Sequence, residues 1–83
     1  MGKDEFEKEA LSYYSQVFGF LVKRVYGDVK LAEDLVQDTY IKVLKNRESY
    51  KAVEGRSMRY WITSIAVNVH TDYYRVCLLY TSP

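Results

Sequence analysis

The chain has 83 residues, of which 48% are hydrophobic and 28% are charged. This length allows one small domain with a single modest core, and the composition excludes an intrinsically disordered chain. The formal net charge is only +1, so the chain is not a strongly basic protein that binds nucleic acid through its overall charge.

The charged and aromatic residues are distributed in a way that favours contact surfaces. Residues 1–48 contain eight Lys/Arg and nine Asp/Glu, a balance of −1, whereas residues 49–83 contain four and two, a balance of +2. This asymmetry permits two different partners. Nine Tyr, three Phe and one Trp are more rings than a small core can bury, so we expect some of them at the surface.

Several functional classes do not fit the composition. Cys77 is the only cysteine, so no internal disulfide can form, and we expect a reducing, cytosolic location. One His and one Cys make no credible metal site. No Ser/His/Asp or Cys/His arrangement and no phosphate-cradling glycine loop is present, so we predict no catalytic residue, no cofactor and no enzyme activity. The acidic start does not fit a signal peptide, and no stretch approaches the roughly 20 apolar residues of a membrane span.

The first predicted helix runs from about Asp4 to Val25. Its apolar residues step by three or four positions and form one continuous stripe. The stripe consists of Phe6, Ala10, Tyr13, Val17, Leu21 and Val25. Gly27 is placed to act as the C′ residue that ends this helix.

The second predicted helix begins after Asp28, a good N-cap residue, and runs to about Asn46. Its broad buried face is predicted to contain Ala32, Leu35, Val36, Thr39, Tyr40, Val43 and Leu44. The outward face contains Asp34, Gln37, Asp38, Ile41 and Lys45. This face is either simply solvated or, with an isoleucine among polar residues, the centre of a protein contact. Its acidic groups would repel DNA.

The third predicted helix follows the loop "NRESYKAVEGRS", begins with Ser57 as its cap and continues to about Val76 or Cys77. Its core face is predicted to hold Ile62, Ile65, Ala66, Val69, Tyr73 and Val76. Short connections imply an antiparallel pair with the third helix packed across it. The predicted fold is therefore all-α, a compact three-helix bundle.

A second face of the third helix carries residues of a different kind. Trp61, Asn68, Asp72 and Arg75 share it, with Ser64 at its edge. In one interpretation Trp61 packs at the edge of the core and the rest is solvated, with Asp72 and Arg75 as a weak ion pair.

The alternative interpretation of this face is a surface for single-stranded nucleic acid. The indole would stack on a base, the amide would contact base edges, and the arginine would contact phosphate or base. Lys51, Arg56 and Arg59 would hold the backbone. His70 projects away from this face and is interpreted as a surface or edge residue.

Two sequence blocks together resemble a known family. "AEDLVQDTYIKVL" (32–44) followed by "YWITSIAVNVHTDYYR" (60–75) resembles region 2 of bacterial sigma factors of the extracytoplasmic-function (ECF) class. The resemblance covers residues 6–76 and implies a compact helical domain that binds core RNA polymerase and promoter DNA. The helix of the first block would dock on the clamp helices of the polymerase β′ subunit through Asp34, Gln37, Asp38 and Ile41.

The resemblance implies that the second block, residues 60–75, together with the loop before it, binds the promoter. The segment from Tyr50 to Ser57 would form a pocket for a base flipped from the non-template strand of the −10 element. Trp61 and Asn68 are the principal residues implied, and Asp72 and Arg75 lie where the helix continues along the DNA. Extracting a base costs a few kcal/mol of unstacking, which a stacking surface and edge-specific hydrogen bonds can offset.

The sequence also departs from the family pattern. The second helical domain that binds the −35 element is missing, so we interpret the chain either as an isolated domain, residues 1–76, or as a truncated form of a longer protein. Residues 77–83 are interpreted as a tail of foreign or frame-shifted sequence, because the polar, basic linker expected after "DYYR" is absent, and they receive no function. The competing hypothesis is a helical protein-interaction module without direct DNA binding, such as an adaptor or a domain held by an anti-sigma factor.

Overall fold

The computed structural model describes residues 2–50 and 57–81, with the side chains of that part as far as Cys77. The described residues form four α-helices: α1 (Lys3–Ser12), α2 (Tyr14–Arg24), α3 (Val29–Lys45) and α4 (Met58–Thr81). A single 3-10 turn, Arg47–Ser49, follows α3. The all-α prediction is confirmed, although the first predicted helix is two helices and the bundle has four.

The first predicted helix is interrupted at Tyr13. The Tyr13 amide donates to the Ala10 carbonyl, three residues back, at 3.2 Å. The Tyr40 hydroxyl of α3 donates to the same carbonyl at 2.8 Å. The Ala10 carbonyl thus has two partners that do not belong to the regular i→i−4 hydrogen bonds of a helix. The helix α2 begins after this interruption, where the Val17 amide donates to the Tyr13 carbonyl at 3.0 Å.

The apolar stripe predicted for this segment is confirmed on both sides of the interruption. Phe6 and Ala10 of α1 are buried, as are Val17 and Leu21 of α2 and Val25 at its C-cap. Because the stripe continues across the break, both helices bury the same side against α3 and α4.

The end of α2 differs from the predicted one by a single residue. The Tyr26 amide donates to the Lys23 carbonyl at 3.3 Å, and the Gly27 amide donates to the Val22 carbonyl at 2.9 Å. This pair of bonds is the Schellman motif, in which the C′ residue adopts the left-handed conformation. That residue is Tyr26, with φ 57°, and Gly27 follows it with φ 86°. The assignment of Gly27 to C′ was therefore wrong by one position.

The predicted start of α3 is confirmed, because the Leu31 amide donates to Asp28 Oδ1 at 3.1 Å. Its buried face contains Ala32, Leu35, Val36, Thr39, Tyr40 and Val43. Leu44 was predicted on this face but is exposed. It lies a further 100° around the helix from Val43, at the margin of the buried arc.

The predicted cap of α4 is also confirmed, since Ser57 Oγ accepts from the Tyr60 amide at 3.3 Å. Met58, Ile62, Ala66 and Val69 are buried, and Ile65 packs against them as a partly buried residue. The burial of Met58 was not predicted.

The second half of α4 was wrongly assigned to the core. Tyr73 and Val76 are exposed, because α4 is much longer than the helices that cover it. Its 24 residues span about 36 Å at 1.5 Å per residue. The helix is therefore longer than the 22 Å width of the described part, whose dimensions are 48 × 22 × 22 Å. The helix also continues further than predicted, since the structure describes it as far as Thr81.

α4 contacts each of the other three helices, most extensively α3. None of the described helices combines the length and the apolar content that crossing a membrane requires.

Candidate functional site

Trp61 lies in the first turn of α4 and belongs to an aromatic cluster with Phe6 and Tyr50. Its ring centroid is 6.0 Å from that of Phe6, edge-on, and 5.1 Å from that of Tyr50. The Phe6 and Tyr50 centroids are 5.9 Å apart. Tyr50 and Ser57 are the described residues on either side of residues 51–56, so the cluster lies beside both ends of the predicted base-binding loop.

The indole is half-buried, and its ring partners are aromatic. Edge-to-face packing of this kind fixes a ring without covering the whole of it. Trp61 therefore packs at the core edge, as the first interpretation of this face expected, and still presents part of its ring to solvent.

Asn68 lies seven residues further along α4 on the same flank, about 10 Å away along the helix axis. It is exposed, and no other side chain or carbonyl among the described residues bonds its amide. Ser64, between them, donates its hydroxyl to the Tyr60 carbonyl at 3.0 Å. The carboxamide is thus available to a ligand, whereas the hydroxyl of Ser64 is already used by its own helix.

Asp72 and Arg75 are both exposed but do not form the predicted pair with each other. Asp72 Oδ2 lies 3.7 Å from Lys42 Nζ of α3 instead. Within residues 2–50 and 57–81, Arg75 has no carboxylate partner. Among the described residues no carboxylate therefore offsets the charge of Arg75 on the Trp61–Asn68 flank.

Arg59 does not share that flank. Two positions before Trp61 correspond to a rotation of 200°, so Arg59 points toward α2, where it donates to Gln16 Oε1 at 3.1 Å. Lys51 and Arg56, the other two predicted backbone contacts, lie outside the described residues.

The outward face of α3 is open to solvent. Asp34, Gln37, Asp38 and Ile41 are all exposed, and 52% of Ile41 is accessible. Their spacing of three, one and three residues places them on one side of α3. An accessible isoleucine flanked by two carboxylates and an amide has the composition of a small polar-rimmed contact surface.

The two predicted surfaces meet in a groove of about 650 Å³ between α3 and α4. Its lining includes Asp38 and Ile41 from the outward face of α3, and Asp72 and Tyr73 from α4. This proximity could not be predicted from the sequence, because it depends on how the two helices cross.

Two tyrosines on these helices have raised pKa values. Burial, and then the neighbouring Tyr14, raises the pKa of Tyr40 to about 12. The pKa of the exposed Tyr73 is raised first by a side-chain hydrogen bond with Cys77, with the carboxylates of Asp28 and Asp34 acting in the same direction.

A cationic surface between α2 and α4 was not predicted. Arg24 Nε donates to His70 Nδ1 at 3.3 Å, and the Arg24 guanidinium lies 5.6 Å from the Phe20 ring centroid. His70 is thus at the edge of the bundle and bonded to α2. Lys23 and Arg59 line the same hollow. The polar pair Ser15 and Gln16 and the cationic pair Lys23 and Arg24, about two turns apart in α2, were the available signal.

In the part of the chain that the structure describes, no three His, Cys, Asp or Glu side chains lie close enough together to hold a metal ion.

Comparison with known proteins identifies the family. The sequence profile of the family described as Sigma-70 region 2 matches residues 10–76. The chain is 30% identical over 73 residues to the RNA polymerase sigma factor YlaC of Bacillus subtilis (strain 168), and 40% identical over 65 residues to the ECF RNA polymerase sigma factor SigX of the same organism. These alignments cover 88% and 77% of this chain. No solved structure matches the chain significantly.

The chain spans 40% of the length of YlaC and 31% of the length of SigX, so it corresponds to one part of such proteins. The family profile includes α2, α3 and most of α4, which carry both candidate surfaces. The chain therefore belongs to the sigma-70 region 2 family, in the ECF class.

Proposed function

We propose that this domain acts in transcription initiation by binding core RNA polymerase and capturing the non-template strand of the promoter −10 element. The observation that carries the proposal is the arrangement of Trp61 and Asn68. A partly buried indole, held by two rings next to the ends of a loop, is followed by an unbonded carboxamide on the same flank of α4. A base pulled from the duplex needs both a stacking surface and an edge-specific hydrogen bond.

Polymerase binding is assigned to the outward face of α3. Asp34, Gln37, Asp38 and Ile41 are exposed there, and the names of the two relatives describe them as RNA polymerase sigma factors. The clamp helices of the β′ subunit are the proposed partner. Strand capture breaks no covalent bond, so the proposed role requires no catalytic group.

The test of strand capture uses the single tryptophan of the chain. The intact chain is titrated with single-stranded oligonucleotides that differ at one position of a −10-like sequence, and the fluorescence of Trp61 is followed. We expect quenching that depends on the identity of one base, with a shallow salt slope of about 0.7 per phosphate contact. If no oligonucleotide changes the fluorescence of Trp61 at low salt, DNA binding by this surface is refuted.

The test of polymerase binding uses a charge reversal on α3. Asp38→Arg is expected to abolish capture of the chain by immobilised β′ clamp helices while the helix content by circular dichroism stays unchanged. Glu5→Arg makes the same charge change on the exposed side of α1 and serves as the control. Equal capture of Asp38→Arg and Glu5→Arg would refute the assignment of this face.

The two tests together separate the proposal from a protein-interaction module without DNA binding. The exposed Ile41 at the edge of the α3–α4 groove favours a protein contact in either case. Capture by clamp helices without any base-dependent quenching of Trp61 would leave the interaction module as the function.

A further inference from the structure

The groove between α2 and α4 carries three cationic side chains, and we call it the basic groove. Two adjoining hollows, of about 690 and 300 Å³, share Gln16, Phe20 and Arg59. Lys23 and Arg24 line the larger one. No acidic side chain lines either hollow, so the positive charge of the groove is not neutralised locally.

Neither hydrogen-bonded arginine of the basic groove has a carboxylate as its acceptor. Arg59 donates to the amide oxygen of Gln16 at 3.1 Å, and Arg24 donates to His70 Nδ1 at 3.3 Å. Each guanidinium is therefore oriented while it keeps its charge and most of its N–H donors. Orientation in advance lowers the entropy cost of binding an anion. This differs from Lys42, whose partner is the carboxylate of Asp72.

Lys23 and Gly19 complete the groove. Within the described residues no carboxylate pairs with Lys23, so its ammonium group is available. Gly19 lies one turn earlier on the same side of α2, and a Cβ added there would meet no atom within 4 Å. The floor of the groove is consequently open enough for a bulky anion to approach both arginines.

The basic groove faces away from the Trp61–Asn68 flank, because Arg59 lies 200° around α4 from Trp61. Phe20, the ring common to both hollows, is partly buried and has the Arg24 guanidinium 5.6 Å from its centroid, so one face of the ring is already occupied by a cation. A shallow cationic surface of this kind favours the ligand with the densest phosphate charge. Duplex DNA, with one charge per about 1.7 Å of axis, is that ligand.

We propose that the basic groove binds the sugar-phosphate backbone of duplex DNA through Lys23, Arg24 and Arg59. This inference rests on the proposed function for its choice of DNA as the partner. α4 then lies between the captured single strand on one flank and the backbone of the adjoining duplex on the other. The helix with its side chains is about 10–12 Å across, so one strand of promoter DNA can reach both flanks.

The test measures binding of the intact chain to a fluorescein-labelled duplex of mixed sequence at several KCl concentrations. Lys23→Gln removes one cation and is expected to weaken binding several-fold and to reduce the salt slope by about 0.9. Lys8→Gln, the same change on the exposed side of α1, is the control and is expected to match the wild type.

A gain of function provides the second arm. Gly19→Lys adds a cation at the open floor and is expected to tighten binding and to raise the salt slope by about 0.9. Gly19→Gln has a similar helix propensity without the charge and is expected to leave both quantities unchanged. Because none of these substitutions touches the core, folding of each variant is checked by circular dichroism alone.

The outcomes distinguish this inference from the proposed function. Equal slopes for Lys23→Gln and Lys8→Gln, or no duplex binding at low salt, would overturn the basic groove as a DNA site. Binding of a poly-glutamate peptide that depends on Lys23, without duplex binding, would overturn it in favour of an acidic protein. If the base-dependent quenching of Trp61 persists in Lys23→Gln, the two sites are separate. If this quenching is absent from every variant while duplex binding still depends on Lys23, strand capture is refuted and the basic groove is not.

Discussion

Asp72 of α4 and Lys42 of α3 form an ion pair, with Oδ2 and Nζ 3.7 Å apart and the side chains 59% and 48% exposed. The pair joins the second half of α4 to α3 at the groove where the two candidate surfaces meet. It also takes Asp72 away from Arg75, its neighbour along the helix. The charges on the flank of α4 are therefore set by a contact between helices.

This ion pair is expected to contribute little to stability, because both side chains are well solvated. In a double-mutant cycle of Lys42→Gln and Asp72→Asn, followed by urea unfolding, we expect a coupling free energy of less than about 1 kcal/mol that decreases with salt. The cycle of Asp72→Asn and Arg75→Gln is the comparison and is expected to give almost none. A larger coupling for Asp72 and Arg75 would contradict the pairing.

The hydrogen bond from the Tyr40 hydroxyl to the Ala10 carbonyl is expected to contribute to stability. Tyr40→Phe keeps the ring in place but leaves a buried carbonyl without this donor, so the free energy of unfolding should fall by about 1–2 kcal/mol. Tyr14→Phe removes a hydroxyl from the exposed ring that packs 5.2 Å from Tyr40, and is expected to have almost no effect. Equal losses for both variants in urea unfolding would contradict this role.

The raised pKa of Tyr40 predicts a loss of stability in alkali. The folded state keeps the phenol protonated to about pH 12, whereas the unfolded chain ionises near its ordinary value of 10. Below pH 10 the stabilisation is fully present. It decreases as the pH rises from 10 through the pKa of Tyr40 in the folded state, because in this range the native state binds more protons than the unfolded chain.

The measurement compares wild type with Tyr40→Phe in urea at about pH 9 and about pH 11. The difference in unfolding free energy between the two proteins is expected to shrink at the higher pH. The remaining tyrosines and the lysines titrate in both proteins and cancel in this difference. A difference that does not change with pH would contradict the burial of the Tyr40 hydroxyl.

The left-handed conformation of Tyr26 is expected to cost stability that a substitution can recover. Its φ is 57°, and its side chain is 98% exposed, so the ring contributes almost no packing in return. Tyr26→Gly removes the steric cost of the left-handed conformation, about 1–2 kcal/mol. Part of this gain is offset because glycine gives the unfolded chain more conformational entropy. We expect a net stabilisation of about 0.5–1 kcal/mol in urea unfolding.

Two controls accompany this prediction. Tyr26→Phe is expected to have the stability of the wild type, since only the hydroxyl changes. Gly27→Ala is expected to destabilise the chain by about 1–2 kcal/mol, because φ 86° is unfavourable for a residue with a Cβ. Destabilisation by Tyr26→Gly would show that the ring makes a contact of its own.

The exposed carboxamide of Asn68 is expected to affect base selectivity without affecting stability. Asn68→Ala should reduce the discrimination between oligonucleotides by about 1–3 kcal/mol if the carboxamide makes the proposed bidentate contact to a base edge. Ser64→Ala lies on the same flank and is the control, because its hydroxyl already bonds the Tyr60 carbonyl. The readout is quenching of Trp61, and equal selectivity in both variants would remove Asn68 from the site.

Much of the fold could be predicted from the sequence because it depends on local signals. The starts of α3 and α4 were predicted from Asp28 and Ser57, because a side-chain N-cap needs only the amides of the following turn. The apolar spacing from Phe6 to Val25 predicted the buried stripe of α1 and α2 correctly. The exposed face of α3 also followed from spacing alone, because side chains three or four residues apart share one side of a helix.

Other features were decided by tertiary contacts between residues distant in the sequence. Tyr40 reaches Ala10, 30 positions away, at the point where the first predicted helix is interrupted. Tyr73 and Val76 have a core-like spacing but are exposed, because apolar periodicity cannot report where the neighbouring helices end. The basic groove belongs to the same class: Arg24 and His70 are 46 positions apart, and only the packing of α2 on α4 brings them together.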